Sequence, residues 1–290
     1  MMATLQRATR RLKTFAELVK FEHTVFALPF AYAGAFLAAG GWPGLDKFWW
    51  VTVAMVGARS AAMSLNRLID RYIDARNPRT AGRPLPQGRM KVPEVVAIIV
   101  LSLVVLYLAA ANLNPLCVTL FPLVVFILVA YSYTKRFTWA AHFVLGLALG
   151  FAPFGGWIAV TGTIHPASLA LGVAVGLWVA GFDLIYAILD VDFDRQEGLY
   201  SIPAVFGVRR ALQVSSSLHI ATFLILLGLF FYLGLGYLYL AGVLVTGILL
   251  WYEHAIISPS DLSRLDVAFF NVNGIIGIIF FCFTLLDLVV

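Results

Sequence analysis

The sequence predicts an all-α, polytopic membrane protein: nine transmembrane helices, as two four-helix pseudo-repeats plus one helix, around a central cavity. Three observations carry that expectation. The chain has 290 residues, 61% of them hydrophobic and only 12% charged, with a mean hydropathy of +0.92. A soluble domain is roughly 45–50% apolar, counting glycine, and about 25% charged. The apolar residues fall into nine runs of the length that a bilayer requires, about 20 residues each. The basic residues then alternate between the two sides of those runs. Intrinsic disorder is excluded by the same composition.

The runs start near His23, Phe48, Pro93, Pro115, Trp139, Pro166, Val214, Gly236 and Val267. Helix-breaking residues separate them: Gly40-Gly41-Trp42-Pro43-Gly44, Asn112-Leu113-Asn114-Pro115, Gly162 to Pro166, and Gly234-Leu235-Gly236. Residues 1–22 read as a cytoplasmic amphipathic lead-in. Arg7, Arg10, Arg11, Lys13 and Lys20 supply its charge, and Leu5, Leu12, Phe15 and Leu18 its apolar contacts. The start lacks the apolar core and small-residue cleavage site of a signal peptide. Cys117 and Cys282 lie in apolar runs and suggest neither a zinc pattern nor a disulfide framework. The chain reads as one membrane-embedded domain over 1–290, with cytoplasmic motif loops at 67–91 and 191–212.

Orientation follows from the positive charges. Eighteen of the 20 Lys and Arg residues fall on one side: the amino terminus, Arg67 to Lys91, Lys135 and Arg136, Arg195, Arg209, Arg210 and Arg264. Lys47 lies on the other side, and Arg59 falls inside a run. This asymmetry puts the amino terminus in the cytoplasm and the carboxyl terminus outside the cell (inner) membrane. The net charge of +5 is then topological and lends no support to a nucleic-acid partner.

Ionisable residues within a membrane are costly, so their positions suggest function. Here they cluster twice. At the end of the second run, Asn66, Asp70 and Asp74 are spaced by four and share a helical face, with Arg59 two turns deeper. At the end of the sixth, Tyr186, Asp190 and Asp194 repeat that spacing, with Asp183 one turn deeper. Carboxylates at a helix C-terminus oppose the helix dipole and, at i,i+4, each other. They call for a counter-charge. An oxygen-liganded divalent cation such as Mg²⁺ supplies one, and it binds through carboxylates plus substrate phosphates. Arg76, Arg79, Arg83, Lys135 and Arg136 could hold an anion such as diphosphate. Such a site suits a substrate with an apolar tail and a phosphorylated head. The clusters are about 120 residues apart, each followed by a Gly/Pro-bearing loop, which suggests an internal repeat.

At these residues the chain resembles the UbiA superfamily of intramembrane aromatic prenyltransferases, over nearly its whole length. The family pattern NxxxDxxxD stands at Asn66, Asp70 and Asp74, and DxxYxxxDxxxD at Asp183, Tyr186, Asp190 and Asp194. The Arg-Pro-Leu-Pro-x-Gly stretch runs from Arg83 to Gly88, and the Lys-Arg pair is Lys135-Arg136. Ser201-Ile202-Pro203 and Phe206-Gly207 follow the second motif. Within the superfamily the chain is most similar to the 4-hydroxybenzoate polyprenyltransferase branch, which Arg59 fits. The stretch Lys20 to Pro29 departs from that branch's usual form. It looks more like relatives of the futalosine menaquinone route, which prenylate a dihydroxynaphthoate, and the stretches Leu145 to Gly150 and Trp157 to Ala159 lean the same way.

The resemblance implies Mg²⁺-dependent transfer of a polyprenyl group from polyprenyl diphosphate to an aromatic carboxylate acceptor. Asn66, Asp70 and Asp74 would hold one Mg²⁺, and Asp190 and Asp194 a second. Lys135, Arg136 and Arg83 would share the diphosphate charge. Asp183 would activate the phenol, oriented by Tyr186, and Arg59 would meet the acceptor carboxylate. The lipid bilayer would solvate the tail.

Plainer readings stand beside these. Asp70 and Asp74 could be solvated beside Arg71 and Arg76, though two equivalent clusters weigh against that. Arg76, Arg79 and Arg83 could be topogenic only, as could Lys135-Arg136. Arg59 could snorkel or pair with a buried acid. Asp192 falls off the four-residue face and reads as solvated, and Asp287 as interfacial. His142, His219 and His254 are isolated in sequence and read as packing residues, and Asn271 and Asn273 as helix–helix hydrogen bonders. A transporter of divalent cations or organic anions is the non-enzyme alternative, but it would place acids at midplane rather than at one end.

Overall fold

The computed structural model describes residues 13–20 and 24–290, with side chains described for 13–20 and from residue 27 onward. Leu5, Arg7, Arg10, Arg11 and Leu12 of the expected lead-in lie outside the described residues. Its remainder forms a short helix, α1, over 13–19. Leu18 and Val19 are buried there, and Leu18 packs with Val95 and Ile99. This corrects the expected bilayer contact for Leu18, which has protein on all sides.

The chain continues as α2 (Thr24–Ala39), α3 (Leu45–Ile69), α4 (Arg71–Arg76), α5 (Val92–Leu113), α6 (Pro115–Thr134) and α7 (Ala141–Thr161). Then come α8 (Pro166–Ala187), a 3₁₀ turn (Ile188–Asp190), α9 (Val191–Gln196), α10 (Ile202–Phe206), α11 (Val208–Leu233) and α12 (Tyr237–Ala255). A π-helical turn (Val267–Val272) leads into α13 (Asn273–Val289). Among the described residues there is no strand, only an isolated bridge between Ser258 and Asp261. All nine expected runs fall on helices, and seven of those helices are long and apolar enough to cross a membrane. The other two are α2, with 16 residues, and α3, whose 25 residues include Asp46, Lys47, Arg59 and Arg67.

The helix ends follow from the punctuating residues. The Asn114 side chain caps α6 by accepting from the Cys117 N–H at 3.0 Å, while its amide donates to the Ile158 carbonyl at 2.8 Å. One residue thus starts α6 and ties it to the end of α7. Gly162 then leaves α7 with φ 68°, a left-handed conformation that glycine takes without penalty. Asp287 accepts from the N–H groups of Gly236 and Tyr239 at 2.8 and 3.1 Å. It caps α12 from the far end of α13, which gives it a structural bond beyond the interfacial place expected.

α8 is the central helix. Trp178 is 1% exposed and packs with Phe30, Val175, Leu226, Val243, Phe269 and Phe280. Its indole N–H donates to the Asn273 side chain at 2.7 Å, and the Asn273 amide donates to Glu253 at 2.7 Å. Asn273 therefore joins α8, α12 and α13, as expected, whereas Asn271 is exposed. α7 and α8 approach through glycines on both. A Cβ on Gly146 would collide with the Gly176 carbonyl, and one on Gly150 with that of Gly172. Small residues four apart are how helices pack closely without a hydrophobic driving force.

Candidate active site

Two helix breaks build the site. α3 stops at Ile69, Asp70 sits at φ −90° and ψ 6°, and α4 restarts at Arg71. The four-residue ladder nonetheless survives the break. The Asp70 N–H donates to the Asn66 carbonyl at 2.9 Å, and the Asp74 N–H to that of Asp70 at 2.8 Å. Asn66, Asp70 and Asp74 thus keep a common face. The second motif has the same design: α8 ends at Ala187, a 3₁₀ turn carries Asp190, and α9 carries Asp194.

Both motifs line one polar cavity of about 320 Å³. Asn66, Asp70, Asp74, Arg59, Arg83, Lys135, Asp183, Tyr186, Asp190 and Asp194 all reach it. Arg136 is not on its wall but bonds to Asp70. Asp70 is 2% exposed and receives three donors: Lys135 Nζ at 2.9 Å, Arg136 Nη2 at 3.0 Å and Asn66 Nδ2 at 3.0 Å. Arg83 Nη1 donates to Asp74 Oδ1 at 2.7 Å, while the buried Asp74 Oδ2 has no hydrogen-bond partner among the described residues. Ser201 Oγ donates to Asp194 at 3.0 Å.

The loop after the first motif crosses over to the second. Asn77 Nδ2 and Arg79 Nε each donate to Asp190 Oδ1 at 2.9 Å. Arg79 also donates to Asp190 Oδ2 and to the Tyr186 hydroxyl, with its guanidinium 4.7 Å from the Tyr186 ring centre. Phe269, in the π-helical turn, stacks on Tyr186 with centroids 4.1 Å apart. Outside the cavity, Arg76 pairs with Glu197 at 2.6 Å and joins α4 to the loop after α9. Arg79 is therefore a structural partner of the second acidic cluster, whereas Arg76 braces the loop after α9.

Three cavity residues escaped sequence reasoning. Arg67 was counted among the loop charges, but it belongs to α3 and is only 6% exposed. It donates to Asn66 Oδ1 at 2.8 Å and has no carboxylate partner among the ion pairs of the described residues. Asn77 reaches Asp190 from 113 residues away. His142, expected to be a packing residue, bonds to Asp183 at 2.7 Å. No local spacing announces either contact. His219 and His254 are also not isolated: they bond to each other at 3.0 Å between α11 and α12, outside the cavity.

Arg59 donates to the Lys20 carbonyl at 3.0 Å and stands where the polar cavity meets a second, apolar one of about 210 Å³. Arg59, Met63, Tyr131, Leu145 and Leu149 line both. Ala, Leu, Met and Phe side chains of α3, α5, α6 and α7 form most of the rest of the apolar wall.

Asp70, Asp74 and Asp190 are each paired with a base, while Asp194 meets the Ser201 hydroxyl and Asp183 meets His142. Among the described residues no three His, Cys, Asp or Glu side chains are grouped closely enough to hold a metal. The donor chemistry still fits a hard cation. Every candidate ligand is an oxygen of Asp or Asn, the four candidate carboxylates (Asp70, Asp74, Asp190 and Asp194) share one cavity, and Asp74 Oδ2 lacks a partner among the described residues.

A bundle of helices long and apolar enough to cross a membrane, with acidic helix breaks and a polar chamber beside an apolar one, defines a class: an intramembrane enzyme for amphiphilic substrates. A family model described as the UbiA prenyltransferase family matches residues 27–275. The chain belongs to the UbiA prenyltransferase family, and it is a polyprenyltransferase. It is 29% identical over 94% of its length to a 4-hydroxybenzoate octaprenyltransferase of Aliivibrio fischeri, covering 93% of that protein. It is 34% identical over 81% of its length to a protoheme IX farnesyltransferase of Methylococcus capsulatus, covering 80% of that protein. Among solved structures, a UbiA homolog from Aeropyrum pernix K1 superposes with a TM-score of 0.84 at 36% identity, covering 92% of this chain and 98% of that one. A UbiA homolog from Archaeoglobus fulgidus bound to GPP and Mg²⁺ shares the fold, with a TM-score of 0.73 at 20% identity over 96% of this chain and 100% of that one.

Proposed function

We propose that this enzyme transfers a polyprenyl group from polyprenyl diphosphate to the ring of 4-hydroxybenzoate, in a Mg²⁺-dependent step of quinone synthesis. One observation carries the reading: a chamber lined by acids and bases adjoins an apolar chamber in a helical bundle, across five shared wall residues. A diphosphate head fits the first and an isoprenoid tail the second. The relatives named for 4-hydroxybenzoate prenylation, and the fold relative bound to GPP and Mg²⁺, support it.

Asn66, Asp70 and Asp74 would hold one Mg²⁺, and Asp190 and Asp194 a second. When bound, the metal would supply Lewis-acid stabilisation of the leaving diphosphate. Lys135, Arg136, Arg83 and the buried Arg67 would bind the phosphate oxygens through charge-assisted hydrogen bonds. These bases now rest on acids or on Asn66, so a head group that exchanges partners with them keeps the chamber near neutrality. Arg59, at the junction of the chambers, would pair with the acceptor carboxylate. Asp183 would activate the phenol, oriented by Tyr186, and would then take the proton displaced from the ring. In this reading α2 and α3 also cross the membrane, which makes nine spans in two pseudo-repeats plus one. The whole chain is one domain of the cell (inner) membrane, with a cytoplasmic amino terminus, an outer carboxyl terminus and a site facing the cytoplasm.

A dihydroxynaphthoate acceptor is the second reading. Residues 20–29 and 145–159 favour it, and Leu145 and Leu149 of the latter stretch line the polar chamber. The test is prenyl transfer by the reconstituted protein with geranyl to octaprenyl diphosphates against each acceptor. Diphosphate release that requires both Mg²⁺ and 4-hydroxybenzoate is expected. Faster turnover of the naphthoate moves the acceptor, and ion flux without transfer overturns the enzyme reading.

A further inference from the structure

We infer that His142 is a positioning residue for the acceptor half of the reaction, fixing the Asp183 carboxylate so that one oxygen is left for the acceptor. The inference rests on the prenyl transfer proposed above and deepens it.

The hydrogen bonds determine the His142 tautomer. The Ile202 backbone N–H donates to His142 Nε2 at 3.4 Å. Nε2 therefore carries the lone pair, and the ring proton of the neutral imidazole sits on Nδ1. Nδ1 is 2.7 Å from Asp183 Oδ2 and donates to it. Asp183 Oδ1 makes no hydrogen bond among the described residues, and the side chain, 22% exposed, lines the polar chamber. His142 itself is 3% exposed. A buried ring held at both nitrogens leaves the carboxylate little freedom to rotate. An imidazole oriented by one bond and aiming its other at a reacting group is a recurrent way of fixing a catalytic geometry.

The anchor is itself anchored. Ile202 is the first residue of α10, and Ser201 before it caps that helix by accepting from the Ala204 N–H at 3.3 Å. The same Ser201 hydroxyl donates to Asp194. Two consecutive residues thus tie the acceptor side, through His142 and Asp183, to the second acidic motif. In the reaction a bond forms between the prenyl C1 and the ring carbon beside the hydroxyl. The C1–O bond breaks with its electron pair leaving on diphosphate, and the displaced ring proton passes to Asp183. His142 changes neither charge nor bonding; it keeps Asp183 where that proton is released.

The experiment compares His142→Ala, His142→Gln and Asp183→Asn in reconstituted full-length protein, with 4-hydroxybenzoate and geranyl diphosphate varied separately. Glutamine can donate to Asp183 and accept from Ile202, as the imidazole does. His142→Ala is expected to lower kcat by roughly tenfold or more, and Asp183→Asn by about a hundredfold, in the range of general-base losses. His142→Gln should stay within about threefold of wild type, and KM for geranyl diphosphate should be unchanged in all three. Wild-type turnover by His142→Ala overturns the inference. So does a His142→Gln variant as slow as alanine, or a KM for the diphosphate that rises in step with the loss of kcat. Full turnover by Asp183→Asn overturns the inference together with the assignment of Asp183 as base. Absence of any aromatic prenylation by the wild type overturns the function itself.

Discussion

Arg67 shows how a single side chain can carry information that its neighbours hide. A buried guanidinium without a carboxylate is expensive unless an anion arrives to meet it. Lys135, Arg136, Arg83 and Arg79 each have an acid within reach. Arg67 has Asn66 instead. Arg67→Gln should therefore raise KM for prenyl diphosphate by roughly tenfold, about 1.4 kcal/mol, and leave KM for the aromatic acceptor unchanged. An equal rise in both would make Arg67 a structural residue. The aspartates of the two motifs were legible in the sequence because their four-residue spacing repeats. Arg67 was not, because an arginine at the head of a basic stretch near a helix end reads in sequence as one more topological charge. His142 and Asn77 were illegible for a different reason: their partners are 41 and 113 residues away. Only the packing of α7 on α8, and the crossing of the loop after α4, brings each pair together.

Among the elements, the helix breaks at Asp70 and at Ile188–Asp190 let carboxylates lie at helix ends. Each break turns the following acid to a new helix start, where the dipole favours it. The approach of α7 and α8 holds the second break in place. Gly146→Leu should force them apart at a cost of about 1–3 kcal/mol, read as a lower unfolding midpoint in detergent. Gly228→Ala, where a Cβ meets nothing within 4 Å, should not. α1 gives a pH prediction. Arg89 donates to both Glu17 oxygens at 2.6 and 2.5 Å, and that bond holds the Glu17 carboxyl below its ordinary range. A lowered carboxyl stabilises above its value and loses that contribution as pH falls through it. Protease access to residues 13–20 should rise on acidification, and Arg89→Gln should abolish the dependence. The pair is partly exposed, so the effect is small. The amphipathic character of this lead-in was readable from its charges; its burial under α5 was not, because amphipathicity alone does not say whether lipid or protein covers the apolar face.

At the scale of the whole molecule, composition and charge alternation made the helical membrane fold legible. They did not register that α2 is short, nor that α3 carries Arg59 and Arg67 to the wall of the polar chamber. The orientation can be read with single cysteines. One at Arg264 should react with a membrane-impermeant reagent added to the cytoplasmic face of inverted vesicles, and one at Leu45 only from the other face. The chamber's two-part form, polar then apolar, could not be seen in the sequence, because it is made by eight helices, α2 to α9, that each contribute a few residues. The central claim is that both acidic motifs act together on one diphosphate. Its most direct measurement is Mg²⁺- and acceptor-dependent diphosphate release by the reconstituted wild type, Asp70→Ala and Asp190→Ala. Loss of at least about a hundredfold in both variants, with normal membrane insertion, is the predicted result. Turnover retained by either variant would contradict it.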